Sequence, residues 1–359
     1  MSLLVAACVG PDRPLPREKP SPPAIETPLS AMPEPLSNNA VATLERGGRP
    51  YFYSFFGLPE TKSAARISRA AYEFDPLADS WRRLPPVPVD GGRLAASAVG
   101  LGDRIYLFGG YTVAADGRET TQPHAFAFDP ATNRYERLPD IPKPVDDSVA
   151  LPYLDRYIYL VSGWHQDGNV PHVQVFDTVT RRWFAATDYP GLPVFGHAGG
   201  IVGNKMLIAD GVTVTAPPGT GPSRFENLGD VWLGEISPDD PSIIDWRPMP
   251  AHDGPPLYRA GAAGLDSRNW VVFAGGTDNP YNYDGIGYDG RPASPSDQVL
   301  VFDLAEEQWI ARGQKPHSTM DHRGLVVDGE TLFTIGGMGP GQVVTGAIVQ
   351  VFPGPPPAG

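Results

Sequence analysis

A unit of roughly fifty residues recurs six times along this chain. In every copy an apolar run ends in a glycine, and these ends lie at 55–57, 108–110, 161–163, 209–211, 274–276 and 335–337. A unit of this size cannot bury its apolar faces alone and must stack on its neighbours. The repeat therefore predicts one closed domain rather than several independent ones.

An acidic residue and an aromatic residue six positions later mark the second half of four units. The pairs are Asp75 with Trp81, Asp129 with Tyr135, Asp177 with Trp183 and Asp303 with Trp309. Asp at the start of a polar stretch is typical of a tight turn. We expect the aromatic side chain to lie on an outer strand and to pack between neighbouring units, so these residues are interpreted as structural.

Each unit holds four short apolar runs bounded by Gly, Pro, Asn and Asp, which in the second unit are 94–99, 104–108, 125–129 and 135–138. Such runs are typical of β-strands. Four antiparallel strands repeated six times predict an all-β fold, a six-bladed β-propeller covering residues 28–352.

The last unit ends after its third strand, at 347–352. The proline-rich stretch 28–34 resembles the exits that follow the outer strands of other units, at 84–88 and 138–142. We therefore expect residues 28–34 to supply the missing fourth strand of the last blade and to close the ring.

The repeated glycines and aromatic residues resemble the kelch-repeat family over roughly residues 28–352. Galactose oxidase shares this fold, and that resemblance implies a copper site with a tyrosine crosslinked to a cysteine. The chain has one cysteine, Cys8, and none after it, so we expect no copper cofactor. Kelch propellers include both enzymes and binding scaffolds, so the fold alone does not predict activity.

The formal net charge of −13 argues against nucleic acid and against anionic membrane surfaces as partners. We expect no metal and no other cofactor, with calcium as a weaker alternative. Oxygen ligands for calcium could come from one loop, at Asp278, Asn282, Asp284 and Asp289. Asp and Asn in a glycine-rich loop are more often turn residues.

The run 4–8, which ends at Cys8, resembles a bacterial lipobox. It is followed by a proline-rich stretch that is suited to a semi-rigid tether. We therefore expect residues 1–27 to be a truncated lipoprotein-type leader and tether, lipidated at Cys8, with residues 353–359 as a proline-rich tail. This interpretation predicts a periplasmic or outer-membrane location, with membrane contact only through the lipid; the alternative is that Cys8 is a coincidental thiol.

The longest connections in the predicted blades join the second and third strands, at 57–67, 111–124, 164–172, 212–229 and 277–297. They share one face of the propeller, and binding residues concentrate on long loops of rigid scaffolds. The inner strands begin on the same face and are expected to ring the channel mouth with Arg93, Asp147, His197, Tyr258, Arg259, Asp321, His322 and Arg323. The alternative is a ring of residues that pair only with one another.

Tyr281 and Tyr283 lie on the longest of these loops, where tyrosine suits the faces and hydroxyls of a sugar. The alternative is a loop packed on itself. We therefore predict a propeller that binds a carbohydrate or a partner protein on its long-loop face.

The chain is also similar to bacterial envelope kelch propellers of the N-acetylneuraminate epimerase kind. That resemblance implies an alternative function as a sugar mutarotase or epimerase. Its pattern, a Glu and an Arg a few residues apart in a loop between the second and third strands, maps onto Arg224 and Glu226. His322 is a further candidate for acid–base catalysis.

Overall fold

The computed structural model of the chain describes residues 28–166, 168–215 and 224–351. The predicted leader, the tether, Cys8 and the tail lie outside these residues and stay predictions. None of the helical segments within the described ranges has the length and apolar character needed to cross a membrane.

Six antiparallel sheets follow one another along the chain, which confirms the predicted six-bladed propeller. From the inner strand outwards, the strands are Ala40–Arg46, Arg49–Pro59, Ser68–Asp75 and Ser80–Leu84 in blade 1; Leu94–Leu101, Arg104–Val113, Ala125–Asp129 and Arg134–Arg137 in blade 2; Val149–Tyr153, Tyr157–Val161, Val173–Asp177 and Arg182–Ala186 in blade 3; Ala198–Val202, Lys205–Ala209, Val231–Ile236 and Ile244–Met249 in blade 4; Gly261–Leu265, Trp270–Ala274, Gln298–Asp303 and Gln308–Gln314 in blade 5; and Val326–Asp328, Thr331–Ile335 and Ile348–Val351 in blade 6. Adjacent inner strands contact one another around the central channel.

Short strands extend the blades on the long-loop face. They are Leu36–Ser37, Glu119–Thr121, Trp164–His165 with Gly168–Asn169, Val212–Val214 with Phe225–Asn227, and Met338–Gly339 with Val343–Val344. The helical segments in the described residues are single 3₁₀ turns at Ala64–Arg66, Asp266–Arg268 and Pro340–Gln342.

The aromatic residue of each outer strand binds the preceding blade, as the sequence predicts. Trp183 donates from Nε1 to the carbonyl of Pro139 at 3.0 Å, and Trp309 donates to the carbonyl of Pro250 at 2.8 Å. The equivalent bonds run from Tyr135 to Pro85 and from Trp246 to Thr187. One repeated side chain therefore ties each blade to the exit segment of the blade before it.

The acidic residue of each pair closes the turn between the third and fourth strands. Asp129 Oδ1 accepts hydrogen bonds from the backbone N–H groups of Ala131 and Thr132. The same pattern occurs at Asp75, Asp177 and Asp303. This confirms the structural interpretation of these residues.

The last glycine of each repeat end is required by close backbone approach. At Gly110 φ is +76°, and a Cβ would lie 2.7 Å from the carbonyl oxygen of Leu94. At Gly337 φ is +96°, and a Cβ would lie 2.6 Å from the carbonyl oxygen of Met320. A larger residue would therefore push the second strand away from the start of its own inner strand.

The N-terminal segment closes the ring, but not as the strand predicted at 28–34. Residues 28–35 form no strand in the described structure, and blade 6 has three strands there. Met32 donates one backbone hydrogen bond to Gly346, at 2.7 Å. The prolines at 28, 33 and 35 lack an N–H and cannot continue a ladder.

The same segment instead occupies the position that, at the other blade junctions, is occupied by the segment following the preceding blade's outer strand. Trp81 of blade 1 donates from Nε1 to the carbonyl of Ser30 at 2.8 Å, as the other outer-strand aromatics do to their preceding blades. Ser30 also binds the carboxylate of Asp79 through its N–H and its hydroxyl. Met32 is buried between the first and last blades, so closure rests on side-chain and single backbone contacts.

A chain that begins at Leu36 should be less stable than one that begins at Pro23. Loss of buried Met32 and of the bonds to Trp81 and Gly346 should lower the free energy of unfolding by about 3–4 kcal/mol. Urea unfolding of the two proteins measures this difference. Equal midpoints would contradict the closure described above.

Candidate functional site

One residue at the start of each inner strand adopts the left-handed backbone conformation. The six positions, with φ between 49° and 71°, are Asn38, Ala95, Asp147, Gly196, Arg259 and Asp321. Five of them are not glycine, although this conformation is costly for residues with a Cβ. The repeat of the same strained geometry in every blade shows that it belongs to the architecture of the channel mouth.

These positions form a closed ring of hydrogen bonds. The backbone N–H groups of Asp147, Gly196 and Arg259 each donate to the carbonyl of the preceding ring residue, at 2.8–3.0 Å. His322 donates to Arg259, and Asn38 donates to Asp321 across the seam between the last and first blades. In blade 2 the bond comes from a side chain, since Asn38 Oδ1 accepts from the N–H of Ala95 at 2.6 Å.

Arg93, predicted at the channel mouth, lies two residues before the ring position of its blade, which is occupied by Ala95. Its guanidinium donates to the carbonyls of Gly91 and Gly92 and contacts His124 at 3.3 Å. Burial lowers the pKa of Arg93 to about 10. The structure therefore places Arg93 between blades and not with the other predicted residues.

Arg259 lies at the centre of a buried ion-pair network that joins three blades. Its Nε and Nη2 donate to the two carboxylate oxygens of Asp147, at 3.0 and 2.7 Å, and its Nη1 donates to Asp321 at 3.0 Å. Arg323 also donates to Asp147, and Tyr281 donates its hydroxyl to Asp321 at 3.0 Å. Four of the predicted ring residues, Asp147, Arg259, Asp321 and Arg323, are thus brought together.

The charges of this network compensate one another. Burial alone would raise the pKa of Asp147, but Arg259 and Arg323 hold it below its usual value. The side chains of Arg259 and Asp147 are 3% and 2% exposed. A buried bidentate pair of this kind is strong only because each charge is fully hydrogen-bonded.

A cavity of about 310 Å³ lies above the network on the long-loop face. Its walls carry six aromatic side chains from blades 2 to 5, Tyr111, Trp164, Phe195, Phe225, Tyr283 and Tyr288. Phe225 and Tyr288 stack with ring centres 3.6 Å apart and planes at 9°. Arg259 and Asp147 line the floor, so the network fixes the base of an aromatic cavity.

Two further carboxyl groups face this cavity, from Glu119 and Asp146. Burial, reinforced by the neighbouring charge of Asp147, raises the pKa of Asp146 well above its usual value. Burial of the Glu119 carboxyl raises its pKa to about 7, although the residue as a whole stays exposed at the rim. The cavity therefore combines an aromatic wall with two carboxyl groups whose pKa values are raised.

Of the three predicted tyrosines, one lines the cavity and two are buried beneath its wall. Tyr283 lines the cavity, whereas Tyr258 and Tyr281 are fully buried beneath its wall. Arg259 lies over both buried rings, 4.8 Å from the centre of Tyr258 and 5.2 Å from that of Tyr281. These two tyrosines therefore support the floor, and only Tyr283 is placed to contact a ligand directly.

The two predicted histidines are buried below the mouth. His197 Nε2 lies 2.9 Å from the carbonyl oxygen of Val161 and must donate to it, and burial lowers the pKa of His197 to about 4. His322 Nε2 lies 2.7 Å from the hydroxyl of Thr319, which also accepts from Lys315. Burial holds the pKa of His322 well below its usual value and lowers that of Lys315 to about 7.

Arg224 and Glu226 flank a cavity residue but do not line the cavity. Phe225 points inwards from the short strand Phe225–Asn227. Side chains alternate along a strand, so its neighbours face the other way, and both are exposed. The three catalytic candidates, Arg224, Glu226 and His322, are therefore not gathered at one point.

The loop that could hold calcium uses its oxygens internally. Asp284 Oδ1 accepts the N–H of Ile286, Asn282 Oδ1 accepts that of Tyr283, and Asp289 pairs with Arg291. Within residues 28–166, 168–215 and 224–351, no three His, Cys, Asp or Glu side chains are grouped as metal ligands.

A larger cavity of about 430 Å³ occupies the opposite half of the channel. Its lining is mostly backbone and small side chains of the inner strands, such as Ala98, Gly199 and Ala262, with charged residues at Asp155, Asp266 and Arg323. Such walls offer few groups that could orient a ligand, so we place the candidate site on the long-loop face.

Sequence patterns did not indicate Glu119 or most of the aromatic wall, whereas Asp146 directly precedes Asp147, which was predicted at the channel mouth. One signal was present, because Tyr111 and Trp164 directly follow the last glycine of their repeat ends. The residue at this position pairs with the residue before the ring position, as in the bridge between Asp146 and Trp164. In blades 2 and 3 the side chain at this position lines the cavity. Glu119 has no such repeated position.

A family model for the kelch motif matches residues 92–142. Kelch-like protein 15 of Gallus gallus is 29% identical over 135 residues, which are 37% of this chain and 26% of that protein. Kelch domain-containing protein 3 of Bos taurus is 24% identical over 264 residues, 66% of this chain and 64% of that protein. The chain thus matches less than two thirds of the length of either relative.

The solved structure of YjhT is similar over 89% of this chain and 96% of its own, with a TM-score of 0.70 and 17% identity. At that identity the likeness concerns the fold. Together with the six blades, the repeated aromatic bonds and the matching motif, it leads to one conclusion. The chain has the six-bladed fold of the kelch propellers, and its second blade matches the kelch motif.

Proposed function

We propose that this propeller binds a small carbohydrate in the cavity on its long-loop face. The observation that carries the proposal is the combination, in about 310 Å³, of a stacked aromatic wall with two carboxyl groups. Aromatic faces pack on the apolar faces of sugar rings, and carboxyl oxygens accept their hydroxyl protons. The volume is at the lower end for ligand sites, which favours one or two sugar units.

The cavity is less suited to an acidic sugar. Arg259 is the one Arg, Lys or His among the described lining residues, and it is already neutralised by Asp147 and Asp321. A ligand carboxylate would meet Glu119 and Asp146 without a free positive charge. Neutral or basic sugars therefore fit the site better.

Replacement of Phe225 by alanine should weaken sugar binding about tenfold, because one stacked face is lost. Glu226→Ala changes the adjacent residue, which faces away from the cavity, and should leave affinity unchanged. Isothermal titration with a panel of monosaccharides measures both variants against the wild type. Equal losses in both variants, or a loss only with Glu226→Ala, would contradict the placement of the site.

A partner protein is the second candidate ligand for this face. Ile286 and Val343, on the loops of blades 5 and 6, are 37% and 62% exposed. A protein partner bound to this face would bury these exposed apolar side chains. This binding would depend on Ile286 and Val343, whereas binding of a small sugar would not.

Mutarotation of a bound sugar is a second candidate activity, supported by the two carboxyl groups. Ring opening moves the proton of the anomeric hydroxyl to a base and delivers a proton to the ring oxygen; closure on the other face reverses both transfers. Groups with separated pKa values can divide these roles. Ionised Glu119 would serve as the base and protonated Asp146 as the acid.

Under this mechanism the mutarotation rate should rise as the pH rises through about 7, where Glu119 loses its proton. Glu119→Gln should abolish that rise, and Glu226→Gln should preserve it. Polarimetry of freshly dissolved hexoses gives the rates. A rate equal to that of buffer at every pH would exclude the activity and leave the binding proposal intact.

A further inference from the structure

Two acidic side chains face the cavity without a basic partner among the described residues. Asp146 is 3% exposed; its Oδ2 accepts the hydroxyl of Thr121 at 2.6 Å, while Oδ1 has no donor in the described part of the chain. The carboxyl of Glu119 likewise has no Arg, Lys or His within ion-pair distance in those residues. A carboxyl oxygen that faces a cavity and accepts no hydrogen bond from the protein is open to a donor on a ligand.

The protein does not supply that partner from the charges nearby. The three guanidinium nitrogens of Arg259 are engaged by Asp147 and Asp321. Arg323 donates to Asp147 and to the carbonyl of His322. A positive charge that pairs with ionised Glu119 and Asp146 would therefore come from a ligand.

The aromatic wall favours the same kind of ligand. Trp164 lies 5.4 Å from Phe195 and 6.5 Å from Phe225 between ring centres, and Phe225 stacks on Tyr288. Ring faces carry negative potential and attract ammonium groups that lie over them. An aromatic enclosure beside unpaired carboxyl groups is the arrangement expected around an organic cation.

We propose that the cavity selects a ligand with an ammonium group, seated between the carboxyls of Glu119 and Asp146 and the wall formed by Trp164, Phe225 and Tyr288. This inference rests on the proposed carbohydrate site and narrows it to amino sugars. The sugar ring packs on the aromatic faces, and the ammonium supplies the missing charge.

Binding of such a ligand is coupled to proton release. In the empty cavity the two carboxyl groups hold protons more tightly than ordinary acids, because of burial and of the charge of Asp147. An ammonium group favours their ionised forms, so complex formation expels protons into the solvent. A neutral sugar of the same size lacks this effect.

The test is isothermal titration of the full chain with D-glucosamine, D-glucose, N-acetyl-D-glucosamine and choline at about pH 6, where the D-glucosamine amine stays protonated. Repeating each titration in buffers of different ionisation enthalpy counts the protons released. We expect D-glucosamine to bind at least about tenfold more tightly than the two neutral sugars, with proton release for D-glucosamine and choline only.

Glu119→Gln and Asp146→Asn should each remove most of this preference and reduce the proton release. Asp103→Asn changes an exposed carboxylate on the opposite face and should preserve both. Glu119 lies at the rim, so its variant keeps the test valid if Asp146→Asn does not fold.

The outcomes separate the two proposals. Equal affinity for D-glucosamine and D-glucose would overturn the ammonium site and leave the carbohydrate proposal standing. Binding of choline without any sugar would support the ammonium site and overturn the carbohydrate proposal. No binding of any of the four probes would overturn both.

Discussion

The candidate site depends on the buried ion pairs that the guanidinium of Arg259 forms with Asp147 and Asp321. The guanidinium ties the start of blade 5 to Asp147 of blade 3 and to Asp321 of blade 6, and Asn38 of blade 1 joins through Asp321. Removing one member of such a buried pair costs about 3–5 kcal/mol. Left-handed backbone at non-glycine ring positions costs on the order of 1–3 kcal/mol each, and the closed ring of hydrogen bonds offsets that strain. Together they fix the floor of the cavity.

The same network determines the charge of the site. Because Asp147 and Asp321 satisfy Arg259, no positive charge of the described lining residues remains for Glu119 and Asp146. The cavity is therefore acidic and aromatic at once, in a protein whose formal net charge is −13. A field of this sign attracts cations and repels anions. This is the physical reason for preferring basic over acidic sugars as ligands.

Much of the architecture was predictable because every blade repeats it. The glycine at each of the six strand ends reflects a close backbone approach within the blade. The fixed spacing from Asp to an aromatic residue reflects contact with the neighbouring blade, and the structure confirms both. Asp147, Arg259, Asp321 and Arg323 were predicted at one mouth and do meet there. Arg93 does not, since an offset of two residues in blade 2 places Ala95 at the ring. The inward face of Phe225 and the position of Glu119 depend on loop pairing that no repeat encodes.

A crystal structure of the protein with D-glucosamine would test the central claim most directly, because it locates the ligand independently of any variant. We expect the sugar to lie against the stacked pair of Phe225 and Tyr288, with its nitrogen within hydrogen-bond distance of Glu119 or Asp146. A sugar bound instead in the opposite half of the channel, among Ala98, Gly199 and Ala262, would contradict it. So would an empty long-loop cavity at saturating ligand.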